Sequence, residues 1–254
     1  MSKRLSAFWV LFLFVGMSFA PAMAKPASES QTSLQVDLLG IGKQLQSEHP
    51  LRLEEVLKLA QAQQMVLQYP LGTTLFDESE HAKQETTALK NTVLNQMIQY
   101  NLITHPLYKF IQRQQFAPRV LSGVDIDQVR LDKFANPLLS GQLSLATVAR
   151  HDQIRYLGDL DNIFVVSSQM GIPLQQQLEN LTSRIGELPQ PPVLIYPDGH
   201  VVQPHYGAWL NTQYYLPPYT MVYIPFESLE ESEMDQNIIK LLTQLKPTPS
   251  QTPL

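Results

Sequence analysis

The sequence predicts a mixed α+β protein of two small domains, which follow a leader segment at the amino terminus. Two observations support this fold class. A strand–helix–strand order occurs twice along the chain, and an amphipathic helix follows the second occurrence. About 230 residues remain after the leader, and compact domains take roughly 100 to 200 residues each. We therefore expect two small domains rather than one large domain.

The first 24 residues have the pattern of a cleavable export signal. Lys3 and Arg4 precede an apolar run from Phe8 to Phe19, and Ala22-Met23-Ala24 provides the small-x-small pattern that signal peptidase recognises. The run is shorter than the roughly 20 apolar residues that a membrane-spanning helix needs. Because the chain contains no cysteine, it has no disulfide and no acylated-cysteine anchor. We expect a periplasmic protein without a membrane span.

The charge of the chain is mildly acidic. Signal cleavage would remove two of the 18 basic residues and none of the 23 acidic ones, which leaves a net charge of −7. Nucleic-acid binding is dominated by Lys and Arg that neutralise phosphates, so this balance argues against a nucleic-acid partner. The Pro- and Thr-rich end over 247–254 has nothing to bury, and we expect a disordered tail there.

The first predicted domain spans 33–150 and opens with a strand. Leu34, Val36 and Leu38 alternate with polar residues, which is the period of a half-buried strand. A short helix follows over about 52–64. From Glu78 the periodicity becomes helical, and His105-Pro106 ends this helix before a second one begins. The two helices predict a helical hairpin inserted over about 78–115.

Strands complete both predicted domains. In the first domain, Val129 and Leu131 alternate with polar neighbours, and so do Leu143 and Leu145. The second domain, over 151–227, has a strand at 154–157, a helix at 173–181, and strands at 193–196, 201–202 and 221–226. Asp198-Gly199 lies between two of these strands and predicts a hairpin with a type I′ turn, in which both central residues need a positive φ.

The final element, over 228–246, is an amphipathic helix that Pro247 ends. With roughly 100° per residue, its apolar residues fall within about a 100° arc: Met234, Ile238, Leu241, Leu242 and Leu245. Most such stripes face the core of their own domain, which is the favoured interpretation. The alternative is that these five residues bind a partner.

The chain carries no recognisable catalytic or cofactor motif. It has no nucleophile elbow, P-loop, dinucleotide-binding glycine pattern or zinc-protease motif, and its six histidines are scattered. We expect no cofactor, no metal site and no enzymatic activity. The late aromatic residues, Trp209 among them, suit a carbohydrate surface, a protein interface or a core.

Three blocks of sequence resemble the GfcC family of periplasmic capsule-biosynthesis proteins. The first runs from Asp127-Gln128-Val129-Arg130-Leu131-Asp132 through Asn136-Pro137 to Leu157-Gly158. The second runs from Pro197-Asp198-Gly199 through Trp209 to Pro217-Pro218, and the third is the closing helix. The blocks occur in the same order as in the family and extend over nearly all of the chain after the leader.

The resemblance implies a fold and a function. The fold would be two β-grasp, ubiquitin-like domains, the first with a helical hairpin insertion, followed by an amphipathic helix. Members are non-enzymatic accessories of capsular or extracellular polysaccharide export, so the implied partners are polysaccharide and the outer-membrane polysaccharide export protein. The family has an arginine eleven residues before its V-R-x-D motif, and Arg119 holds that spacing before Arg130. Arg119, Arg130, Asn136 and Trp209 are the candidate binding residues.

Two alternative functions remain open at this point. One is a polysaccharide-modifying hydrolase that uses paired carboxylates, for which Asp125, Asp127 and Asp132 are the candidates. The other is a purely structural scaffold of the export complex. For Arg119 itself, the alternative to ligand binding is a pairing with an acid of its own domain.

Overall fold

The computed structural model describes residues 33–169, 171–204 and 213–247. The predicted signal peptide, the candidate Trp209 and residues 248–254 of the predicted tail lie outside the described residues. The fold is mixed α+β, as predicted, and the described residues form six α-helices and three sheets of five, two and five strands. The described residues belong to one compact unit.

The first five-stranded sheet, sheet 1, has the order β2-β1-β7-β4-β5. Its strands are β1 (Leu34–Leu38), β2 (Lys43–Ser47), β4 (Thr74–Asp77), β5 (Arg119–Ser122) and β7 (Gly141–Ala146). β1 and β7 run parallel, and the other neighbours run antiparallel. A small antiparallel pair, β3 (Leu51–Arg52) with β6 (Leu138–Leu139), lies beside it.

The second five-stranded sheet, sheet 2, has the order β11-β10-β12-β8-β9. Its strands are β8 (Gln153–Gly158), β9 (Phe164–Ser167), β10 (Val193–Ile195), β11 (Val201–Val202) and β12 (Met221–Ile224). β8 and β12 run parallel, and the other neighbours run antiparallel. Numbered within its own half of the chain, each sheet therefore has the same strand order and the same directions.

Helices connect the strands at equivalent places in the two halves. α1 (Leu53–Ala62) follows the β1–β2 hairpin, and α5 (Leu174–Ile185) follows the β8–β9 hairpin. α2 (Glu80–Gln99) and α3 (Pro106–Arg113) are inserted between β4 and β5, which confirms the predicted pair of helices. Ser79 begins α2 as an N-cap, because its hydroxyl accepts the Ala82 N–H at 3.3 Å.

The prediction of a strand through Val129 and Leu131 is wrong. These residues belong to a short helix, α4 (Ile126–Leu131), which Asp125 caps by accepting the Asp127 N–H at 2.9 Å. Val129 is buried, but Leu131 is 88% exposed. The two apolar residues therefore do not share a buried strand face, and the capping carboxylate favours a helical turn.

The predicted hairpin between β10 and β11 is present, but its turn is not of type I′. The Gly199 N–H donates to the Tyr196 carbonyl at 2.8 Å, with Pro197 and Asp198 as the central residues. Gly199 has a φ of +87°, and Asp198 does not have a positive φ. A proline at the first central position followed by a left-handed glycine is typical of a type I turn with a G1 bulge.

Three main hydrophobic cores hold the sheets. One lies between sheet 1 and α1, and it contains the alternate strand residues Leu34, Val36 and Leu38 of β1. Another lies between sheet 2 and α5 and contains Tyr156 and Val222. The last fills the opposite face of sheet 2 with residues from α2 and α3 and from the final helix, α6 (Glu233–Leu242).

The inserted helices therefore pack on the second half of the chain. Val93 and Met97 of α2 share one core with Tyr223 of β12 and Ile238 of α6. Hydrogen bonds support the contact between α2 and α6, since the Asn237 side-chain amide donates to Gln96 at 3.2 Å. No helix within the described ranges is long and apolar enough to cross a membrane.

Candidate functional site

A cleft lies where sheet 1, sheet 2 and the end of α6 meet, and we call it the junction cleft. Its cavity volume is about 70 Å³. The lining combines basic, aromatic and small residues from all three parts: Gly72, Thr74, Phe76, Gln114, Arg119, Val148, Arg155, Tyr196, Pro197, Tyr219, Met221, Leu245, Lys246 and Pro247. It contains three basic side chains and, among the described residues, no carboxylate or imidazole.

Three larger surface depressions have a different character. One of about 430 Å³ lies beside the end of α5, and two of about 300 and 370 Å³ lie near the start of α6. Each is lined by at least one glutamate, and none has a basic residue among its described lining residues. The junction cleft is therefore the better candidate for binding a ligand with a negative charge.

Arg119 ties the three walls of the junction cleft together. It is the first residue of β5 and pairs with Phe76 of β4, over whose ring its guanidinium carbon lies at 5.6 Å from the centroid. Its Nε donates to the Thr243 carbonyl at 2.5 Å, and its Nη1 donates to the Pro197 carbonyl at 2.7 Å. One side chain thus joins sheet 1, the β10–β11 turn and the end of α6.

The Arg119 side chain packs closely against Gly199 of the β10–β11 turn. A Cβ at Gly199 would lie 3.1 Å from Cδ and from Nε of Arg119. The positive φ of Gly199 also disfavours any residue with a side chain. Glycine at this position therefore serves the turn and the packing of the arginine together.

Arg119 remains a cation despite its burial. Loss of hydration lowers the pKa of its guanidinium to about 10, and the negative charge of Asp198 acts in the opposite direction. The Thr243 carbonyl that it contacts belongs to the C-cap residue of α6. Helix C-termini carry unsatisfied carbonyls and a partial negative charge, so this contact compensates part of the buried positive charge.

Arg155 is the second arginine of the junction cleft. It lies on β8, opposite Met221 of β12, and its guanidinium carbon lies 5.4 Å from the centroid of the Phe110 ring. Its side chain donates no hydrogen bond to any residue within 33–169, 171–204 or 213–247. Burial lowers the pKa of its guanidinium, and no neighbouring carboxylate opposes that effect.

Lys246 is the third basic residue of the lining, and it is already paired. Its Nζ lies 2.5 Å from Oε1 of Glu78, and both side chains are mostly buried. The same carboxylate oxygen accepts the Ser144 hydroxyl at 2.6 Å. This ion pair fixes the chain after α6 to the start of α2. Among the described residues, neither arginine of the lining forms an ion pair with a carboxylate.

Two tyrosines give the cleft an aromatic wall. The Tyr219 hydroxyl donates to the Ala149 carbonyl at 2.7 Å, and the Tyr196 hydroxyl lies 3.5 Å from the Tyr215 carbonyl. Burial raises the pKa of both phenols. Their hydroxyl groups are held by the backbone, so the ring faces are the parts that a ligand could contact.

The other candidate binding residues that the structure describes lie away from this cleft. The Asn136 side-chain oxygen accepts the Glu54 N–H at 3.0 Å and so supports the first turn of α1. Arg130 lies on α4, where its Nη1 is 3.6 Å from the Asp127 carboxylate in an exposed pair. Neither residue lines the junction cleft with Arg119.

The apolar stripe of the final helix packs inside the molecule. Met234, Ile238, Leu241 and Leu242 are all buried, and Leu245 packs against the same core. Asp235 is buried on this helix as well, where it accepts hydrogen bonds from the Tyr223 hydroxyl and from the Phe226 N–H. The packing agrees with the favoured interpretation of the stripe.

The three acids of the hydrolase alternative have local structural partners. Asp125 caps α4, and Asp132 caps the following turn by accepting the Phe134 N–H at 2.8 Å. Asp127 pairs with Arg130, and none of the three lines the junction cleft. Within the described part of the chain, no group of three His, Asp or Glu side chains is placed to hold a metal ion.

Sequence reasoning identified Arg119 but missed Arg155. In the sequence, Arg155 is a polar residue between Ile154 and Tyr156, which is the pattern of a strand with one solvent-facing side. Only the packing of α3 over this face of sheet 2 encloses the side chain. No protein-family model matches the chain, and no curated protein matches it either.

Proposed function

We propose that this protein is a periplasmic accessory of capsular or extracellular polysaccharide export, which recognises an acidic ligand and does not catalyse a reaction. The observation that carries the proposal is the junction cleft, which has two arginines and no carboxylate in its described lining. A guanidinium binds carboxylates and phosphates through a planar fork. General acid–base catalysis would need a positioned proton donor and acceptor.

The fold gives the proposal further support. Each five-stranded sheet has its first and last strands parallel at the centre, and a helix follows its first hairpin. We assign both sheets as β-grasp domains, with α2 and α3 as the insertion in the first. This is the architecture that the resemblance to the GfcC family implies, and the export-signal pattern of residues 1–24 is consistent with the same compartment.

The ligand in this proposal is the polysaccharide itself or a protein of the export machinery. The first is favoured, because the lining combines the arginines with two tyrosines, Tyr196 and Tyr219. Aromatic faces with polar tips suit sugar rings, which are apolar on one side and hydroxylated at the edge.

Deletion of the gene in its own host tests the proposed function. We expect less exported polysaccharide, or chains of altered length, and restoration by the wild-type gene on a plasmid. Complementation by the triple variant Asp125→Asn, Asp127→Asn and Asp132→Asn should be as effective, since Asn also caps helices. Normal polysaccharide in the deletion strain would refute the function, and failure of the triple variant with a normal folded level would favour the hydrolase.

A further inference from the structure

The two arginines of the junction cleft have different roles, and their contacts distinguish them. Three hydrogen bonds occupy Nε and Nη1 of Arg119, with Thr243, Pro197 and the Thr74 hydroxyl as acceptors. Those acceptors belong to three separate parts of the fold. Arg119 is therefore held by the protein, and its main role is to fix the walls of the cleft in place.

The Arg155 side chain is packed against the protein, but its guanidinium N–H groups donate no hydrogen bond to a described residue. The Phe110 ring lies against the side chain, and the backbone N–H of Arg155 donates to the Thr220 carbonyl at 3.0 Å. None of its five guanidinium donors reaches an acceptor among the described residues. The guanidinium therefore has donors available to an acceptor from outside the chain.

The size and charge of the cleft restrict the nature of that acceptor. The cavity of about 70 Å³ has room for a few water-sized groups, which is enough for one charged substituent. A carboxylate matches the guanidinium fork with two parallel hydrogen bonds. Asp198 acts on Arg119 and accepts the His200 N–H at 2.9 Å, and it forms no ion pair with Arg155 within the described ranges.

The residues around Arg155 indicate what carries the carboxylate. Tyr196 and Tyr219 line the cleft, and Gln114 adds an amide with both a donor and an acceptor. A pyranose ring offers hydroxyl groups for the amide and an apolar face for a tyrosine. A peptide carboxylate would pair with the same guanidinium but would bring no pyranose ring to the tyrosines.

We propose that Arg155 binds the carboxylate of a uronic acid residue in the junction cleft, while Arg119 positions the walls around it. This inference rests on the proposed function and narrows its ligand to sugars that bear a carboxylate. The sugar ring stacks against the tyrosine wall, and the rest of the polysaccharide continues along the surface outside the cavity.

Calorimetric titration of the purified protein tests the proposal with glucuronate, glucose and N-acetylaspartate as probes. We expect glucuronate to bind at least about tenfold more tightly than glucose, because charge-assisted bidentate pairs are the strong ones. N-acetylaspartate should bind more weakly than glucuronate, since it lacks a ring. The affinity for glucuronate should decrease as the salt concentration rises.

Two substitutions separate the role of Arg155 from a general effect of charge. Arg155→Met keeps an apolar stem over Phe110 and should reduce glucuronate affinity at least about tenfold. The matched control is Arg184→Met, because Arg184 also lies over an aromatic ring, Phe164, at 5.7 Å but is outside the cleft. The control should bind glucuronate like the wild type.

If Arg155→Met does not fold, Arg155→Lys replaces it, and the lysine keeps the charge but loses the fork. Unchanged glucuronate affinity in the folded variant would overturn the proposal. So would equal affinity for glucose, or tighter binding of N-acetylaspartate, which would make the site a receptor for acidic peptides. Normal export in the deletion strain would refute the proposed function alone, because glucuronate binding by the purified protein is measured separately.

Discussion

The two five-stranded sheets have the same strand order and the same directions, but they are covered differently. Sheet 2 is buried on both faces: along β12, Met221 and Tyr223 belong to one core and Val222 and Ile224 to the other. Sheet 1 has its main core on one face, under α1. The comparison shows that covering elements, rather than strand order, decide where a sheet retains a usable surface.

The opposite face of sheet 1 is where the polar chemistry lies. Leu75 of β4 belongs to the core under α1, whereas Thr74 and Phe76 point the other way and line the junction cleft. Ser144 of β7 is buried on this side and bonded to Glu78. The helices inserted in the first half share their core with sheet 2, and, among the described residues, this face of sheet 1 has only a small apolar cluster of Phe76, Ala117 and Ala146.

The largest expected difference in stability is between Gly→Ala substitutions at two glycines, one in each sheet. A Cβ at Gly158, at the end of β8, would lie 2.0 Å from the backbone oxygen of Ile224, and the φ of Gly158 is +120°. Gly141, at the start of β7, has a φ of +85° but nothing within 4 Å of its Cβ position. Gly158→Ala should destabilise the fold by more than about 4 kcal/mol or prevent folding.

The matched variant Gly141→Ala should cost only about 1 kcal/mol, which is the penalty of a left-handed backbone. Urea denaturation followed by circular dichroism measures both variants. Similar losses in the two variants would show that the parallel contact of β8 with β12 is more adaptable than the distances indicate.

Substitutions in α2 of the helical insertion should give the next largest change in stability. Met97 is fully buried in the core shared by α2, α6 and sheet 2, whereas its neighbour Ile98 is 44% exposed. Met97→Ala should destabilise the protein by about 2 to 5 kcal/mol. Ile98→Ala should change the stability by less than about 0.5 kcal/mol. If chemical denaturation gives equal values, α2 does not contribute to the second core of sheet 2.

Each face of sheet 2 carries a buried tyrosine, and removing the hydroxyl group from each should change the stability by a different amount. The Tyr223 hydroxyl donates to the buried Asp235, whereas the Tyr156 hydroxyl has no hydrogen-bond partner among the residues that the structure describes. Tyr223→Phe should cost about 1 to 3 kcal/mol, because it removes a bond to a buried charged group. Tyr156→Phe should be neutral or slightly stabilising. A thermal melt that reverses this order would contradict the comparison.

The smallest expected effect is a dependence of stability on pH, which comes from His105 at the start of α3. His105 caps α3 through Nδ1, which accepts the Leu107 N–H at 3.2 Å, and its ring lies against Phe226. Burial lowers the pKa of this imidazole below its usual 6.5, although Asp159, Asp161 and the Leu160 carbonyl oppose the effect. The neutral ring therefore favours the folded state, and protonation opposes it.

The sign of the pH dependence follows from this lowered pKa. The contribution of His105 to stability should be complete above pH 6.5 and should be lost as the pH falls through its folded-state pKa. His105→Asn keeps a capping acceptor without a titrating group. Burial raises the pKa of Asp159, which gives a pH dependence of opposite sign. The difference between wild type and His105→Asn, measured from pH 5 to 8, isolates the imidazole, and a constant difference would exclude this role.

The elements that sequence patterns predicted correctly are those whose periodicity reflects local burial. The alternation of Leu34, Val36 and Leu38 predicted β1 because only one face of sheet 1 is covered there by a main core. The amphipathic patterns of α2 and α6 were equally clear. The β4–β5 pair was not predicted, because the 20-residue α2 and the 8-residue α3 separate its two strands in sequence.

For the candidate site, the sequence alone determined the supply of residues: an arginine ahead of the V-R-x-D motif, tyrosines late in the chain, no cysteine and no catalytic motif. The tertiary structure decided which of them meet. Arg119 and Arg155 are 36 positions apart on different sheets, and they line one cleft together with the residues that follow α6. The physical reason is that periodicity records which side of an element is apolar, whereas a binding site depends on contacts between residues that are distant in sequence.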